Sequence, residues 1–534
     1  MGRQAAPDRR NVRGQHTSSP DGDDLLDRLG SRRTPPSEVI IVRASRLLVV
    51  LGSSTLFLGT ALPAGAYPLA AGPQVPASGP SPFASCPVGP APGNDPGTVY
   101  PNTEVEPFVA VNPTDPENII GVFQQDRWSN GGARGLVASR STNGGQSWTE
   151  SYAAFSECSG GDPVYDRASD PWVTFDTAGN AYQISLSISG DQATSAVLVS
   201  KSTDQGATWG PPVTLVRDET IDKFNDKESI TGDPTRPGYV YAVWDRVQSP
   251  GGLPSRPIDL PSLLSHGVPL FSRTTDGGAT WSTPARMADA LLGTLGNQIA
   301  VLPNGTLVDV FWGYRLAGLV PTPKTLFVGV MVSTDAGVHW SRPIQVSNYV
   351  PAIACAGEQV CDPDSGEPVR AGTNLPDIAV DPNSGRMYVV WADARFSGGK
   401  TVDAVLSSSD DGTTWTTPVL VNKSPAPVPA FNATVDVSSD GTVGVLYYDF
   451  RRNTPAPTLP TTVFLAHSHD AGATWTEQQL GGAFDMQNAP VARGLFLGDY
   501  QGLDNIGRDF LAFFSRSRAA DDTADVVAVR VSAP

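Results

Sequence analysis

The sequence predicts an all-β protein built from repeated four-stranded antiparallel units. Gly contributes 54 and Pro 48 of the 534 residues without a collagen period, which is typical of many short strands joined by turns. One eight-residue motif occurs six times, and the same succession of short apolar strands recurs around each copy. Such a repeat architecture can use a chain of this length in a single domain.

The repeated motif has the form Ser/Thr-x-Asp/Asn-x-Gly-x-Ser/Thr/His-Trp. It predicts a tight hairpin turn, because the Asp can accept backbone N–H bonds, the Gly permits a left-handed conformation and the Trp can pack between neighbouring sheets. We therefore expect its twelve Asp/Asn and Trp positions to be structural rather than catalytic. The copies are Ser141–Trp148, Ser202–Trp209, Thr274–Trp281, Ser333–Trp340, Ser408–Trp415 and Ser468–Trp475.

Four strands are predicted around each copy of the motif. In the first unit they are Pro107–Val111, Ile119–Gln124, Gly135–Arg140 and Trp148–Ala153. In the fifth unit they are Asp377–Asp381, Met387–Trp391, Val402–Ser407 and Trp415–Val421. The motif thus falls between the third and fourth strands of a unit.

This motif resembles the Asp box of sialidase-like β-propellers, in which it lies on the face away from the active site. The resemblance implies four-stranded blades around a central pocket. After the last copy, three further strands are predicted at Asp499–Leu503, Phe510–Phe514 and Asp525–Val531. Gln74–Ser81 is similar to a fourth strand and would complete that last sheet, removing two exposed edges. These observations favour seven blades over six.

The N-terminal region has the pattern of an export signal. Residues 1–46 form an extended polar region, and the apolar run Leu47–Leu62 is followed by Ala64-Gly65-Ala66, so residues 47–66 are predicted to be a signal peptide. A biological start near Val39 or Val42 would give a more usual signal length. Residues 67–100 are expected to close the last blade and 101–534 to form the propeller. A secreted protein is predicted, with an uncleaved N-terminal anchor as the alternative.

Cysteine usage and charge exclude several classes of protein. In an exported chain, an even number of cysteines predicts disulfides, here Cys355 with Cys361 and Cys86 with Cys158. There is no Cys-x-x-Cys motif and there are only five His residues, so no metal or other cofactor is expected. The net charge of −17 disfavours nucleic acid and anionic membranes as partners. We expect a monomer with a glycan or polysaccharide as its partner.

In sialidase-like propellers, the starts of first strands and the ends of second strands share the face that binds ligands. Charged residues are dense at those positions of this sequence. Second strands end at Gln125–Arg127, Trp244–Arg246, Asp393–Arg395 and Asp449–Arg451; first strands begin at Glu104–Glu106, Arg167–Asp170, Asp226–Glu228 and Arg493–Tyr500. Such carboxylates could supply proton transfer, and such Arg residues could bind hydroxyls or anions. The alternative is that each Asp pairs with its own Arg and fixes a loop.

The resemblance extends to two short segments and implies a retaining glycoside hydrolase. Asp499-Tyr500-Gln-Gly-Leu503 looks like the segment with the family's nucleophilic Tyr, and Phe123–Arg127 resembles a segment that supplies a substrate-binding Arg. We expect Tyr500 to be the nucleophile. Its activating carboxylate would be Glu104, Glu106 or Asp499, and the general acid Asp126 or Asp170. Substrate-binding residues would be Arg127 and Arg493, with Arg246, Arg395 and Arg451 around them.

The sequence departs from the family where Glu104-Val-Glu106-Pro107 is acidic instead of carrying an Arg. Because like charges repel, this favours a neutral sugar over a sialic acid. Two other hypotheses remain open: a non-catalytic propeller that binds glycan or protein, and a polysaccharide lyase. An acid, Tyr500 and an Arg in one pocket would favour an enzyme, whereas scattered self-paired Asp–Arg loops would favour a binding protein.

Overall fold

The computed structural model of the protein describes residues 67–87, 89, 97–248, 266–317, 322–353, 359–518 and 522–534. The predicted polar region 1–46 and signal peptide 47–66 lie outside the described residues. Within these residues the regular structure is β, apart from the 3₁₀ turns Glu157–Ser159 and Met486–Asn488. The prediction of an all-β fold with four-stranded antiparallel sheets is confirmed.

The strands form successive antiparallel groups, here called blades 1 to 7. Two short strands precede them, β1 (Ala70–Ala71) and β2 (Val75–Pro76). Blade 1 contains β3 (Glu104–Val111), β4 (Asn118–Arg127), β5 (Ala133–Thr142) and β6 (Thr149–Ser151). Blade 2 contains β7 (Arg167–Phe175), β8 (Ala181–Ile188), β9 (Ser195–Ser202) and β10 (Val213–Asp218). Blade 3 contains β11 (Lys223–Gly232), β12 (Val240–Gln248), β13 (His266–Thr274) and β14 (Ala285–Arg286).

The remaining strands continue this order with one insertion. Blade 4 contains β15 (Leu292–Val301), β16 (Leu307–Ala317), β17 (Thr322–Ser333) and β18 (Ile344–Asn348), and β19 (Val360–Cys361) and β20 (Pro368–Arg370) follow it. Blade 5 contains β21 (Asp377–Val380), β22 (Met387–Asp393), β23 (Asp403–Ser409) and β24 (Val419–Leu420). Blade 6 contains β25 (Ala430–Val437), β26 (Val443–Asp449), β27 (Pro460–Ser468) and β28 (Thr476–Gln479), with β29 (Phe484–Asp485) beside β27. After β30 (Leu495–Phe496), blade 7 contains β31 (Gly502–Ile506), β32 (Asp509–Ser517) and β33 (Ala524–Ser532).

The first strands of the blades form a closed cycle. Each contacts the first strand of the next blade, from β3 through β7, β11, β15, β21, β25 and β31 back to β3. The sheets therefore surround one axis, and the fold is a β-propeller. Buried apolar clusters fill the spaces between successive blades, as where blade 2 meets blade 3 around Ile184 and Trp244.

Both ends of the described chain contribute to blade 7. Its strands β31 to β33 come from the C-terminal end, and β1 and β2 pair with the outer edge of β33. Ala70 is opposite Ser532 and Val75 is opposite Ala528 in antiparallel register. The edge of β33 is thereby covered instead of being exposed to other chains.

The repeated motif forms a turn closed by side chains between the third and fourth strands. In blade 2, Asp204 accepts the backbone N–H of Thr208 at 2.9 Å and its hydroxyl at 2.6 Å, and Ser202 accepts the N–H of Gly206. The motif Trp residues pack against the buried apolar clusters between blades. The ring of Trp148, for example, lies 5.4 Å from the ring of Phe513 in blade 7. Because first strands begin at the opposite end of each blade, these turns lie on the face of the propeller away from the starts of the first strands.

The fifth copy of the motif is shifted by one residue. Asp411, and not Asp410, accepts the backbone N–H groups of Thr413 and Thr414, both at 2.7 Å, while Ser409 accepts that of Gly412. Strand β23 ends at Ser409, so two consecutive Asp residues compete for the turn position. Asp410 instead forms an exposed ion pair, and its expected role in the turn passes to Asp411.

One disulfide joins Cys86 and Cys158, as predicted. Cys361 is also bonded in a disulfide, and its predicted partner Cys355 lies outside the described residues. Cys361 belongs to the insertion after blade 4. There β19 pairs with β20, and β20 runs parallel to β30, which places Arg370 opposite Phe496. The insertion thus brings residues distant in sequence to the face where first strands begin.

Candidate functional site

Local bulges position the charged side chains at the centre of the propeller. In five first strands the register with the second strand shifts at equivalent places. A bulge bends a strand and redirects a side chain, and here one residue at each shift has a left-handed backbone. These residues are Glu106 (φ 54°), Asp170 (φ 51°), Lys227 (φ 52°), Gly296 (φ 69°) and Asn432 (φ 51°). A left-handed conformation is unfavourable for non-glycine residues, which marks these positions as functional candidates.

Lys227 lies at the centre of a buried group of charges. Its Nζ lies 2.8 Å from Asp499 Oδ2, 2.9 Å from Asp170 Oδ2 and 3.6 Å from Glu106 Oε1. Only 11% of the Lys227 side chain is exposed. Because these residues come from blades 1, 2 and 3 and the segment before blade 7, one ammonium joins four separate parts of the ring.

Two arginines complete this group. Arg370 binds Asp499 with two hydrogen bonds, from Nη2 to Oδ2 at 2.5 Å and from Nε to Oδ1 at 3.1 Å. The guanidinium groups of Arg370 and Arg127 lie 4.3 and 4.9 Å from the centre of the Phe496 ring. We refer to Glu106, Arg127, Asp170, Lys227, Arg370 and Asp499 as the Lys227 cluster.

Gln124 connects Arg127 to the carboxylates. Arg127 Nη1 donates to Gln124 Oε1 at 2.5 Å, and Gln124 Nε2 donates to Glu106 Oε2 and, at 3.0 Å, to Ser169 Oγ. Ser169 in turn donates to Asp170 Oδ1 at 2.5 Å. A continuous chain of hydrogen bonds therefore joins both carboxylates of blades 1 and 2 to Arg127.

Tyr500 lies against the cluster beside a narrow central cavity. Its hydroxyl donates to the carbonyl oxygen of Pro171 at 3.4 Å, and Lys227 Nζ lies 5.8 Å from its ring centre. Phe108, Trp172, Glu228 and Tyr500 are among the residues that line the cavity, whose volume is about 50 Å³. A cavity of this size holds a few water molecules rather than a sugar ring.

The three carboxyl groups of the cluster differ in pKa. Burial, together with the nearby Asp170, raises the pKa of Glu106 to about 7. Burial would also raise the pKa of Asp170, but Lys227 and the Ser169 hydroxyl hold it below its ordinary value. For Asp499, Arg370 and Lys227 overcome burial and keep the pKa well below its ordinary value. Near neutral pH, two ionised carboxylates and the partly protonated Glu106 therefore surround Lys227.

Two neutral groups lie next to these charges. Neither carboxyl oxygen of Glu228 has a hydrogen-bond partner among the described residues, and burial, aided by Asp170, raises its pKa well above the ordinary value. Burial and the negative charges of Glu106 and Asp170 also raise the pKa of the Tyr500 hydroxyl well above its ordinary value. Tyr500 is thus a phenol and not a phenolate at neutral pH.

No protein-family model matches the chain, and no curated protein matches it. Three solved structures illustrate what the chain is similar to. A Hadza microbial sialidase is 16% identical over 77% of this chain and 73% of its own, with a TM-score of 0.43. An α-L-arabinofuranosidase of Fusarium graminearum is 14% identical over 66% and 91%, with a TM-score of 0.40. A NanB sialidase from Streptococcus pneumoniae is 8% identical over 81% and 93%, with a TM-score of 0.41.

The chain's own sheets identify its fold: four-stranded antiparallel blades whose first strands close into a ring, with side-chain-bonded turns between third and fourth strands. The fold is a β-propeller. In this propeller the Lys227 cluster lies on the face where first strands begin. Of the residues expected to form the site, the structure brings together Glu106, Arg127, Asp170, Asp499 and Tyr500.

Glu104 and Asp126 lie apart from the cluster. Glu104 accepts a hydrogen bond from Gln125 Nε2 at 2.6 Å, and burial raises its pKa to about 8. Asp126 accepts bonds from the Ser81 hydroxyl and the Asn102 backbone and pairs with Arg134, so it fixes the N-terminal segment. Since side chains alternate along a strand, Glu104 and Glu106 could share a face only without the intervening bulge.

The arginines expected around the rim have local partners. Arg246 binds Asp218, Arg395 binds Asp393 at 2.8 Å, and Arg451 binds Asp449 and Glu477. Arg493 is exposed and has a left-handed backbone (φ 67°). These residues are not part of the Lys227 cluster. Arg395 and Arg451 match the alternative in which each Asp pairs with its own Arg, whereas Arg246 binds Asp218 and not Asp245.

Lys227, Arg370 and Gln124 were absent from the set of expected site residues. Lys227 lies inside Asp226–Glu228, which the sequence marks as a charged strand start, so a prediction of the bulge there would have identified it. Gln124 directly precedes the marked strand end Gln125–Arg127 and is uncharged. Arg370 lies in the insertion, whose only signal is the long interval between the fourth and fifth motif copies. In the described part of the chain, no set of three or more His, Cys, Asp or Glu side chains is arranged to hold a metal ion. The described helical turns include none that could span a bilayer.

Proposed function

We propose that the chain is a secreted glycoside hydrolase whose reaction takes place at the Lys227 cluster. The observation that supports this most is the contrast between Glu106, with its raised pKa, and Asp170 and Asp499, with lowered ones. Neighbouring carboxyl groups whose pKa values are driven apart can serve as the acid and the ionised partner of glycoside cleavage. Export is consistent with the Cys86–Cys158 disulfide, since such bonds persist in oxidising compartments.

In this proposal Glu106 is the general acid and protonates the leaving oxygen. Asp170 is the ionised partner that stabilises or attacks the sugar. Asp499 is less suited to that role, because two cations, Arg370 and Lys227, bind it, whereas Asp170 has one cation, Lys227, and the Ser169 hydroxyl as partners. Asp170 takes the role that the sequence suggests for Tyr500, because a phenol with a strongly raised pKa is a poor nucleophile. Tyr500 then remains a neutral phenol in the wall of the central cavity.

The reacting sugar in this proposal is neutral. The cations of the cluster already have partners: Lys227 and Arg370 bind carboxylates, and Arg127 binds Gln124. A sugar carboxylate would therefore have to displace one of these contacts and approach Asp170 and Asp499. Electrostatic repulsion makes a neutral glycoside the better substrate.

A non-catalytic propeller that binds glycan is the second candidate. It is favoured by the mutual pairing of charges within the cluster and by the small volume of the central cavity. In that case the Lys227 cluster would hold the blades together, and binding would take place at the rim.

Hydrolysis of a panel of neutral and anionic aryl glycosides by the purified protein would distinguish the two candidates. We expect Glu106→Gln and Asp170→Asn each to lower kcat by about 10²- to 10⁴-fold. Tyr500→Phe should have a smaller effect. Glu104→Gln is the matched control: it changes a buried Glu in the same strand, outside the cluster, and should retain near wild-type activity.

Absence of turnover on the whole panel would favour the binding protein. Turnover that survives Glu106→Gln would place the reaction elsewhere. Loss of activity in Tyr500→Phe as severe as in Asp170→Asn would restore Tyr500 as the nucleophile.

A further inference from the structure

A second concavity lies on the face where first strands begin, at the start of β3 and the end of β32. Its volume is about 750 Å³, within the range of about 300–1,000 Å³ that is usual for ligand pockets. It is formed where the start of blade 1 meets the ends of blades 6 and 7, with Asn102, Phe484 and Arg516 among its lining residues. The N–H of Asn102 donates to Asp126, whose neighbour Arg127 belongs to the cluster. We call this concavity the Arg516 groove.

Arg516 has an unusual electrostatic position within the groove. It is half-buried on β32, and Nη1 donates to the amide oxygen of Gln74 at 2.6 Å. Among the described residues no carboxylate lies within ion-pair distance of it. Asp525 lies opposite Arg516 in the sheet but pairs with Arg518, so Arg516 has a carboxylate neighbour and no direct ion pair of its own among the described residues.

Arg518 also lines the groove, but its guanidinium group is bound by other groups of the protein. Its Nη1 pairs with Asp525 at 3.2 Å, Nη2 donates to the Asn102 carbonyl at 2.7 Å and Nε donates to the Thr523 hydroxyl at 2.8 Å. Arg518 thus fixes the wall of the groove. Arg516, two residues earlier on the same side of the strand, remains available to a ligand.

The acidic residue of the groove, Asp485, is half-buried, and one of its oxygens is bound by the backbone. Asp485 Oδ1 accepts the backbone N–H groups of Leu459 at 2.7 Å and Gln487 at 3.1 Å. The half-buried ring of Phe484 beside it provides an apolar surface of the kind on which a sugar can pack. An anionic ligand in the groove would meet Arg516 and the ring of Phe484, and it would approach Asp485 from the side of the carboxyl group that the backbone does not bind.

We propose that the Arg516 groove is a subsite for an anionic sugar residue of the glycan, one that carries a carboxylate or a sulfate. This rests on the proposed function, because the groove would bind one residue of a chain whose neutral neighbour is cleaved at the Lys227 cluster. Arginine is suited to this role, since its planar fork can donate two parallel hydrogen bonds to either group. A repeating glycan with neutral and acidic residues is the substrate class that fits both sites.

Calorimetric titration can test the subsite without turnover. The Glu106→Gln protein would be titrated with a hyaluronan tetrasaccharide, in which uronate and neutral residues alternate, a κ-carrageenan tetrasaccharide, in which sulfated and neutral residues alternate, and neutral maltotetraose. We expect one anionic tetrasaccharide to bind more tightly than maltotetraose. Adding Arg516→Gln should weaken that binding by about tenfold or more, and Arg516→Lys should weaken it less, because a charge-assisted bond is lost in the first and retained in part in the second. Preference for the uronate or the sulfated probe identifies which anion is recognised.

Arg286→Gln is the matched control, since it removes an exposed arginine from the outermost strand of blade 3. Its binding should equal that of the parent protein. The proposal is overturned if neither anionic probe binds more tightly than maltotetraose, or if Arg516→Gln and Arg286→Gln bind alike. Either result is separate from failure of the proposed function, which is measured as hydrolysis of aryl glycosides.

Discussion

The rim of the propeller and its centre use the same residue types in opposite ways. At the rim, Arg395 and Arg451 each bind an Asp two residues earlier in the chain. At the centre, Lys227 binds Asp499, 272 residues away, and Arg370 binds the same Asp from 129 residues away. The rim pairs therefore stabilise single loops, whereas the central contacts join separate blades.

This difference determines how strongly each carboxylate depends on a single cation. A rim Asp that loses its Arg still accepts hydrogen bonds from nearby backbone N–H groups, so its charge remains solvated by the protein. A central carboxylate depends on a cation delivered by another blade. Substitutions at the centre should therefore destabilise the protein more than substitutions at the rim. The pKa values of the central carboxyl groups are also strongly shifted, as expected of a functional site.

The largest effect is expected for Lys227→Met. Removing the ammonium leaves Asp170 and Asp499 buried with their charge partly uncompensated, and we expect the free energy of unfolding to fall by about 3–5 kcal/mol. Denaturant unfolding at neutral pH measures this. In the rim control Arg395→Met, Asp393 keeps hydrogen bonds from the Trp391 indole and the Val350 backbone, so the loss should be about 1–2 kcal/mol.

If Lys227→Met is too unstable to purify, the double variant Lys227→Met/Asp170→Asn provides the test. Asp170 has Lys227 as its ion-pair partner among the described residues, so neutralising it should recover part of the lost stability. Equal losses in the central and rim variants would contradict the distinction drawn between the two regions.

The pH dependence of kcat/KM should reflect the centre alone. Glu106 acts in its protonated form, and its pKa is raised to about 7, so activity should fall about tenfold per pH unit above that value. Asp170 acts in its ionised form with a lowered pKa, so activity should fall on the acid side only below the ordinary carboxyl range. An assay between pH 3 and 9 measures both limbs. A profile that rises with pH through 7 would assign Glu106 the opposite protonation state.

The smallest effect is expected at the turns of the opposite face. Asp411→Ala removes the acceptor of two backbone N–H groups and should lower the Tm, whereas Asp410→Ala removes only an exposed ion pair and should leave it nearly unchanged. Differential scanning calorimetry of the two variants tests the one-residue shift of the fifth motif. A larger loss in Asp410→Ala would restore the regular motif alignment.

The sequence predicts the sheets well, because the information for them is local. A turn motif with Asp, Gly and Trp at fixed spacing is visible in eight residues, and it determines where third and fourth strands meet. Alternating short strands around it suffice for the fold class. The same local information predicts that Tyr500, Asp499 and Glu106 lie near one another, since each begins or precedes a first strand.

The arrangement within the site depends on features that a sequence pattern does not encode. Whether Glu104 or Glu106 joins the cluster is decided by a one-residue bulge in β3. Arg370 reaches Asp499 because two short strands, β20 and β30, pair in parallel across a long interval of sequence. The pairing of Arg395 with Asp393 is, by contrast, local, and the sequence already offers it as an alternative.

The pairing of β1 and β2 with β33 also has a consequence for how the protein forms. Val75 precedes its partner Ala528 by several hundred residues, so β2 is synthesised long before the strand with which it pairs. Until β33 is made, β1 and β2 have no partner strand, and their pairing closes a very long loop. Completion of blade 7 therefore comes after synthesis of the other six blades, and loss of β1 and β2 would leave the outer edge of β33 exposed.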